Sequence, residues 1–589
     1  MAAGTLSRPP EIEVSSLPVN DRGLPEIVLR VSQDKVRFCY RYTVGGLEQH
    51  VAPILRMHRG ERFAMRIVNE LSGPAKGAAM AASAIPPCSP SPMKMTRPQA
   101  FTGYLDHTFY AHYAPMKPTD VNIHLHGFQG PASQENVFLS TLSTPAHACE
   151  YDITVPKTQP PGTYFYHPHT HGMSDDLVAG GLSGMWIVDT DTPQIAPADE
   201  HAVILTYRLP LISDNRYMPG TGLMGPFAVM HQMRVKGKPL TNYNPFDPPA
   251  WPTSLPVRFA NEYLTADKCG NFDTPDIAVN GIDAPATLTV PAGETQLLRV
   301  LNGTSDSFKY VRMRDPSGKL RTMQITGRDG VPVAGDGTHP YAKYLALDGV
   351  RLVPTGRLDM LLTLKSGESV TLYSDRDCLG MIGEYSLKHD LLTITAGPAP
   401  ASPIAIASSP LSASESPAVQ LLRYARAHPS LVRRRALTYT QYGVPNQGRR
   451  GGHPEFYITE TSNRSFTERP FSPMYAPGAT VPQPDIVVRR GTIEEWYLFN
   501  ATLEPHTFHI HQMAFVAEDE TPQPVMLDTV LVPTGKTLPN RTDPNYPLLK
   551  PGLTKVLLDF RNVPRGTFVF HCHMLFHEDH GMMGIIKVI

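Results

Sequence analysis

Three things are scarce in this chain, and each scarcity removes a class of reading. Cysteine is one: six in 589 residues, at 39, 88, 149, 269, 378 and 572, too few for a scaffold held together by disulfides. An excess of either charge is the second, since 53 Lys and Arg face 54 Asp and Glu. That balance leaves no electrostatic footprint for nucleic acid or an anionic membrane surface. Long apolar runs are the third, and none approaches the roughly 20 residues that cross a bilayer. The opening stretch Met1 to Pro10 shows neither an apolar leader core nor a twin-arginine pair, so it reads as cytoplasmic or as a start from which a leader was replaced by an initiator Met.

What is present argues for strands. Fifty-nine prolines and 45 glycines punctuate short β-rich runs, the pattern of an all-β chain with many turns. Its length suits three or four domains. Self-similarity points to three. Gly60-Glu61 is followed by Asn69 nine residues after the glycine, Gly293-Glu294 likewise by Asn302, and Gly491 by Asn500, so one β unit is expected three times. Gly162 to His169 aligns with Gly566 to His573, and Ile123 to His126 with Phe508 to His511, whereas the matching middle segment Gly367 to Ser374 has no histidine. The expected domains are 25–192, 193–396 as a spacer without metal ligands, and 418–589. A Pro/Ala/Ser-rich connection at 397–417 precedes the third, which opens with a short helix near Ala418 to His428. Residues 71–120 and 209–250 read as long inserted loops.

The histidines carry the chemistry. With 23 in the chain, chance gives roughly one His-x-His pair, yet there are five: 124/126, 167/169, 169/171, 509/511 and 571/573. On a strand, residues i and i+2 share a face about 6.5–7 Å apart, which suits two neighbouring ions better than one. The run from Phe568 to Phe570 is β-forming, so His571 to His573 is expected to continue a strand, with both histidines on one face and Cys572 on the other. A thiolate, two imidazoles and a weak thioether make a blue copper site. Cys572, His577 and Met582 offer three of these ligands, and His506, three residues before the 509/511 pair, can turn to supply the fourth.

With the segments HLHG, YHPHTHG, HTFHIHQ and HCHMLFHEDHGMM in place, the chain resembles the three-domain multicopper oxidases of the bacterial laccase and copper-efflux-oxidase kind. That resemblance implies three cupredoxin-like Greek-key β-sandwich domains holding four copper ions, with metal sites in domain 3 and at the domain 1/3 interface. It implies a type 1 copper on His506, Cys572, His577 and Met582, and a type 2 copper on His124 and His509. The type 3 pair would take His126, His167 and His573 on one ion, and His169, His511 and His571 on the other. His-Leu-His stands where the family often has His-Trp-His, and Glu135 where relatives usually place an aspartate. Glu578, matching an acidic position of the efflux oxidases, is the first candidate proton donor and Glu135 the second. His171 and His580 adjoin ligands without matching ligand positions and read as bystanders.

The function so implied is oxidation of small phenols or aromatic amines, four single electrons being passed to dioxygen to give water. A metallo-oxidase of Cu(I), Fe(II) or Mn(II) is the alternative, suggested by Met218, Met224, Met230 and Met233 in one insertion and Met80, Met93 and Met95 in the other. A copper-binding protein without catalysis is the third reading, and it would show missing ligands where this chain has all twelve. The partners are a small-molecule or metal-ion donor and dioxygen, with no nucleic acid and no membrane span. Copper oxidases of this kind work outside the cytoplasm, so a periplasmic or secreted location is expected.

Overall fold

The computed structural model describes residues 4–34, 37–71, 79–85, 89–90, 120–141, 147–190, 197–207, 255–256, 277–334, 339–379, 385–386, 388–445, 452–461, 481–500, 502, 504–518, 521, 523–534, 536–537, 548–550 and 552–589. One sandwich plan recurs along the chain. First comes a sheet ordered Glu11–Glu13, Ile54–Met57, Gly184–Val188, Gly162–His167, His124–His126. It packs on a second, ordered Ala148–Thr154, Arg62–Asn69, Glu26–Asp34, Arg37–Val44, Leu47–Gln49. Trp186 and Leu55 of one meet Phe63, Ile27 and Tyr40 of the other in a shared core.

Towards the far end the order returns. Ile486–Val488, Met583–Val588, Gly566–His571, His506–Ile510 and Thr529–Val532 form one sheet, and Gly452–Glu460, Val432–Pro445, Ile493–Asn500 and Gly552–Asp559 lead the other. The middle of the chain repeats the plan with Ala286–Pro291, His389–Gly397, Ser369–Asp375 and Lys309–Arg314. In all three, one early strand pairs in parallel with a late one, as Ile54–Met57 does with Gly184–Val188, so the chain crosses between sheets in the Greek-key manner.

The sequence repeat now has a physical cause. Gly60, Gly293 and Gly491 have φ of 81°, 81° and 93°, a left-handed turn geometry that a Cβ penalises. Each opens a strand that ends at a buried asparagine acting as a loop tie. Asn302 Nδ2 donates to Ser307 O at 2.8 Å, and Asn500 Nδ2 donates to Glu504 O at 2.8 Å. The tie at Asn500 fixes the loop that leads directly into His506.

The cores of the middle and last sandwiches are continuous, with Leu298 and Met360 in one cluster with Trp496, Phe508 and Phe570. Trp496 is fully buried, with ring centroids 5.8 Å from those of both Phe508 and Phe570. Both phenylalanines lie on strands that carry site histidines, so this packing positions the site. Trp496→Ala is expected to lower stability by about 3–5 kcal/mol, read as a lower denaturant midpoint by circular dichroism; a change below about 1 kcal/mol would show that the surroundings collapse into the gap.

A helix spans Pro417–Ala427, with Ser416 Oγ accepting from Val419 N at 3.5 Å, one residue from its expected bounds. The connection before it runs along the middle sandwich, where Ser409–Pro410 pairs in parallel with Lys343 and Tyr344. Most of the insertions 71–120 and 209–250, with Met93, Met95, Met218, Met224, Met230 and Met233, lies outside the described residues. Met80 packs beside Ile85 and Val68. Cys149 is disulfide-bonded, and Cys39 and Cys572 keep free thiols. Among the described residues, no helix is long and apolar enough to cross a membrane.

Candidate metal centres

The strand Gly566–His571 stops at His571, two residues short of the expected His573. Geometry requires the stop. An extended chain would carry residue 577 about 16 Å past residue 572, and the turn at Met574 into the short helix Leu575–Asp579 brings it back. His577 Nδ1 then lies 3.6 Å from Cys572 Sγ, His506 Nδ1 lies 3.9 Å from it, and the two nitrogens are 3.0 Å apart. Thr507 N–H donates to the sulfur at 3.4 Å. Met582 is buried and locked beside both ligands, its carbonyl accepting from Cys572 N and its N–H donating to His577 O, each at 3.0 Å.

The outward nitrogens of this site are also held. His506 Nε2 is 2.9 Å from Thr502 Oγ1, and His577 Nε2 is 3.2 Å from Glu504 Oε1. Phe456 stacks on the His577 ring at 4.1 Å. Burial opposes charge on His577, but Glu504 and the Cys572 thiol outweigh it and push its pKa up to about 10. A metal binding there must displace that proton, so loading weakens as pH falls.

On the opposite side of Cys572, eight imidazoles converge. Strand register pairs His124 with His167 and His509 with His571. The first and last sandwiches meet ring on ring. His124 stacks on His511 and His126 on His509, both at 3.9 Å between centroids. His169 Nε2 and His511 Nε2 lie 3.2 and 3.3 Å from His571 Nε2. The His573 ring is 4.9 Å from His126 and 5.1 Å from His167, and the His124 ring is 6.0 Å from His509. All twelve sequence candidates are therefore gathered at these two places.

One nitrogen of most inner rings is already engaged, while the other is buried without a hydrogen-bond partner. His124 Nδ1 lies 2.9 Å from Glu135 Oε2, His126 Nε2 3.0 Å from Asp528 Oδ1, His167 Nδ1 2.8 Å from Pro168 O, and His509 Nδ1 2.7 Å from Asp528 O. The orphans are His124 Nε2, His126 Nδ1, His167 Nε2, His169 Nδ1 and His509 Nε2, with both ring nitrogens of His573. Buried polar atoms without partners are costly, and ring nitrogens turned inward fit metal ligation with the opposite nitrogen fixing orientation. Burial first, then neighbouring imidazoles, holds His124, His126, His169, His509, His511 and His573 well below the usual histidine range, and His167 near 3. Neutral imidazole is the form that binds metal.

The two acidic candidates contact different rings of the cluster. Glu578 Oε2 is 3.0 Å from His571 Nδ1, and its Oε1 is 3.5 Å from His169 Nδ1 and accepts from Ser174 Oγ at 3.3 Å. Glu135 Oε2 also accepts from Leu125 N at 2.8 Å, and burial pushes its carboxyl well above the usual range. His171 Nδ1 approaches Glu578 Oε1 at 4.0 Å, and His580 Nδ1 faces Phe576 O at 2.7 Å. Sequence reasoning missed Glu504, Asp528, Arg357 and Thr507. For Asp528 and Arg357 a signal existed: Asp528 interrupts the apolar run Val525 to Val532 and Arg357 heads the run Leu358 to Leu364, and such charges persist when paired.

Fold and site together define a cupredoxin-like copper protein, with a thiolate–imidazole–thioether site beside an imidazole cluster. The multicopper oxidase family profiles match residues 113–193 and 454–589, the two stretches that carry all twelve candidate ligands. It is 40% identical over 86 residues to the multicopper oxidase mco of Staphylococcus haemolyticus (14% of this chain, 16% of that protein). Over 112 residues it is 30% identical to a laccase of Bacillus stratosphericus (17% and 21%). These alignments span only about a fifth or less of the curated relatives. A variant of the McoA multicopper oxidase from the hyperthermophile Aquifex aeolicus shares the fold across 100% of both chains, with a TM-score of 0.61 at 15% identity.

Proposed function

We propose that the chain is a laccase-like, copper-dependent oxidase that takes single electrons from small phenols or aromatic amines and passes four of them, with four protons, to dioxygen, giving two waters. One observation carries this reading: Cys572 of the outer site lies between His571 and His573, whose rings both belong to the inner cluster. Bound copper would supply one-electron redox capacity outside and dioxygen reduction inside. In this reading, His506, Cys572, His577 and Met582 hold the type 1 ion, and His124 and His509 the type 2 ion. His126, His167 and His573 hold one type 3 ion, and His169, His511 and His571 the other, for four coppers in all. Glu578 and Glu135, each on an inner imidazole, move protons inward.

A metal-ion donor is the second reading, and Glu504 favours it. Its carboxylate lies against the outward nitrogen of His577, where a cationic donor would be attracted. A disulfide at Cys149 suits an oxidising compartment, which supports a periplasmic or secreted location. Copper quantitation with visible and paramagnetic spectra, followed by phenols, aromatic amines, Cu(I), Fe(II) and Mn(II) under air and under argon, tests the proposal. A fully loaded, colourless protein that consumes no oxygen with any donor would overturn it.

The axial role of Met582 has its own readout. Met582→Leu removes the thioether while filling similar volume, and the type 1 potential is expected to rise. An unchanged or lower potential in a redox titration would remove Met582 from the ligand set.

A further inference from the structure

The middle sandwich sends one fully buried guanidinium to the inner cluster. Arg357 opens the strand Arg357–Thr363. Its Nη1 donates to Asp528 Oδ1 at 3.1 Å and to Thr355 O at 2.9 Å, its Nη2 donates to Asp528 Oδ2, and its Nε reaches Thr163 O of the first sandwich at 3.4 Å. Asp528 belongs to the last sandwich and touches two inner rings: its carboxylate meets His126 Nε2 and its carbonyl meets His509 Nδ1.

Two further contacts make this a built junction. Asp329 accepts from the backbone N–H of Arg357 at 2.9 Å and of Asp528 at 3.3 Å. Thr355 Oγ1 lies 3.3 Å from Thr529 Oγ1, which is itself 3.3 Å from His126 Nε2 and 3.2 Å from His509 Nδ1. Thr355 holds φ at 75°, a left-handed conformation that a β-branched residue adopts only under compulsion. Strain of this kind collects where geometry serves a site.

Resting on the trinuclear reading above, we propose that Arg357 of the middle domain is a positioning residue for the inner copper site: by clamping Asp528 it fixes His126 and His509 so that His126 Nδ1 and His509 Nε2 face the metal. The middle sandwich is then part of the site's frame and more than a spacer. A planar fork matches the carboxylate at two points, which a lysine ammonium does not.

The test compares wild type, Arg357→Lys, Asp528→Asn and the double variant Arg357→Met with Asp528→Asn, which removes the fork and its carboxylate together if Arg357→Met alone fails to fold, Asp329 keeping its two backbone N–H donors. Each is loaded with copper, and the readouts are copper content, the type 2 paramagnetic signal, the type 1 visible band and thermal midpoint. The expected result is inner-site affinity reduced about 10- to 100-fold, or an altered type 2 hyperfine pattern, with the type 1 band intact, and Arg357→Lys between wild type and the others. Folded variants with full copper and a wild-type type 2 signal would overturn the proposal alone. A wild type that binds copper at the outer site only would overturn it together with the trinuclear reading.

Discussion

Cys572→Ser is expected to bleach the protein and stop turnover while leaving the inner cluster able to bind copper. The sulfur is buried, lies within 4 Å of both His506 Nδ1 and His577 Nδ1, and receives the Thr507 N–H. A serine oxygen is a harder, less polarisable donor on a shorter bond, so the intense thiolate-to-copper absorption goes with the sulfur. Loss of an outer hydrogen-bond partner costs about 10- to 100-fold in activity or affinity, and loss of this bridging ligand should exceed about 100-fold. Absorption spectra and an oxygen electrode decide it: a blue, oxygen-consuming Cys572→Ser protein would show that the outer site is built on other residues.

Glu578→Gln should separate proton delivery from electron delivery. The amide keeps the shape of the side chain and an oxygen for Ser174, but it cannot take up and release a proton between His571 and His169. Steady-state oxygen consumption is expected to fall about 100-fold or more, the range for losing a placed acid–base group. Reduction of the outer copper by donor under argon, and total copper content, should stay as in wild type. Oxygen consumption equal to wild type would make Glu578 a purely structural partner of the helix Ser174–Ala179.

Much of this was legible from periodicity. A period of two on a strand puts His124 with His126 and His509 with His511 on one face as candidate ligand pairs, and the recurring glycine-to-asparagine segments announce three sandwiches. The strand's end at His571 was also within reach, because a ligand five residues beyond Cys572 forces a reversal that an extended run does not provide. Arg357 and Asp528 carried a weaker sign. A charge that heads or interrupts an apolar run says that a partner exists without saying where, and here it lies 171 residues away for the pair and 402 for Asp528 with His126. Glu504 had no pattern at all, since an acid in a loop is ordinarily solvated, and only the turn closed by Asn500 brings it onto His577.

The stacking of His124 on His511 and His126 on His509 has a consequence for assembly. Histidines nearly 400 residues apart in sequence become neighbours only when the outer sandwiches have docked, so an ion bound among them would double as a clasp between the two. Chelation should then loosen the seam between the first and last sandwiches while each keeps its own fold. Copper supply would govern how tightly this molecule is closed as well as whether it can react.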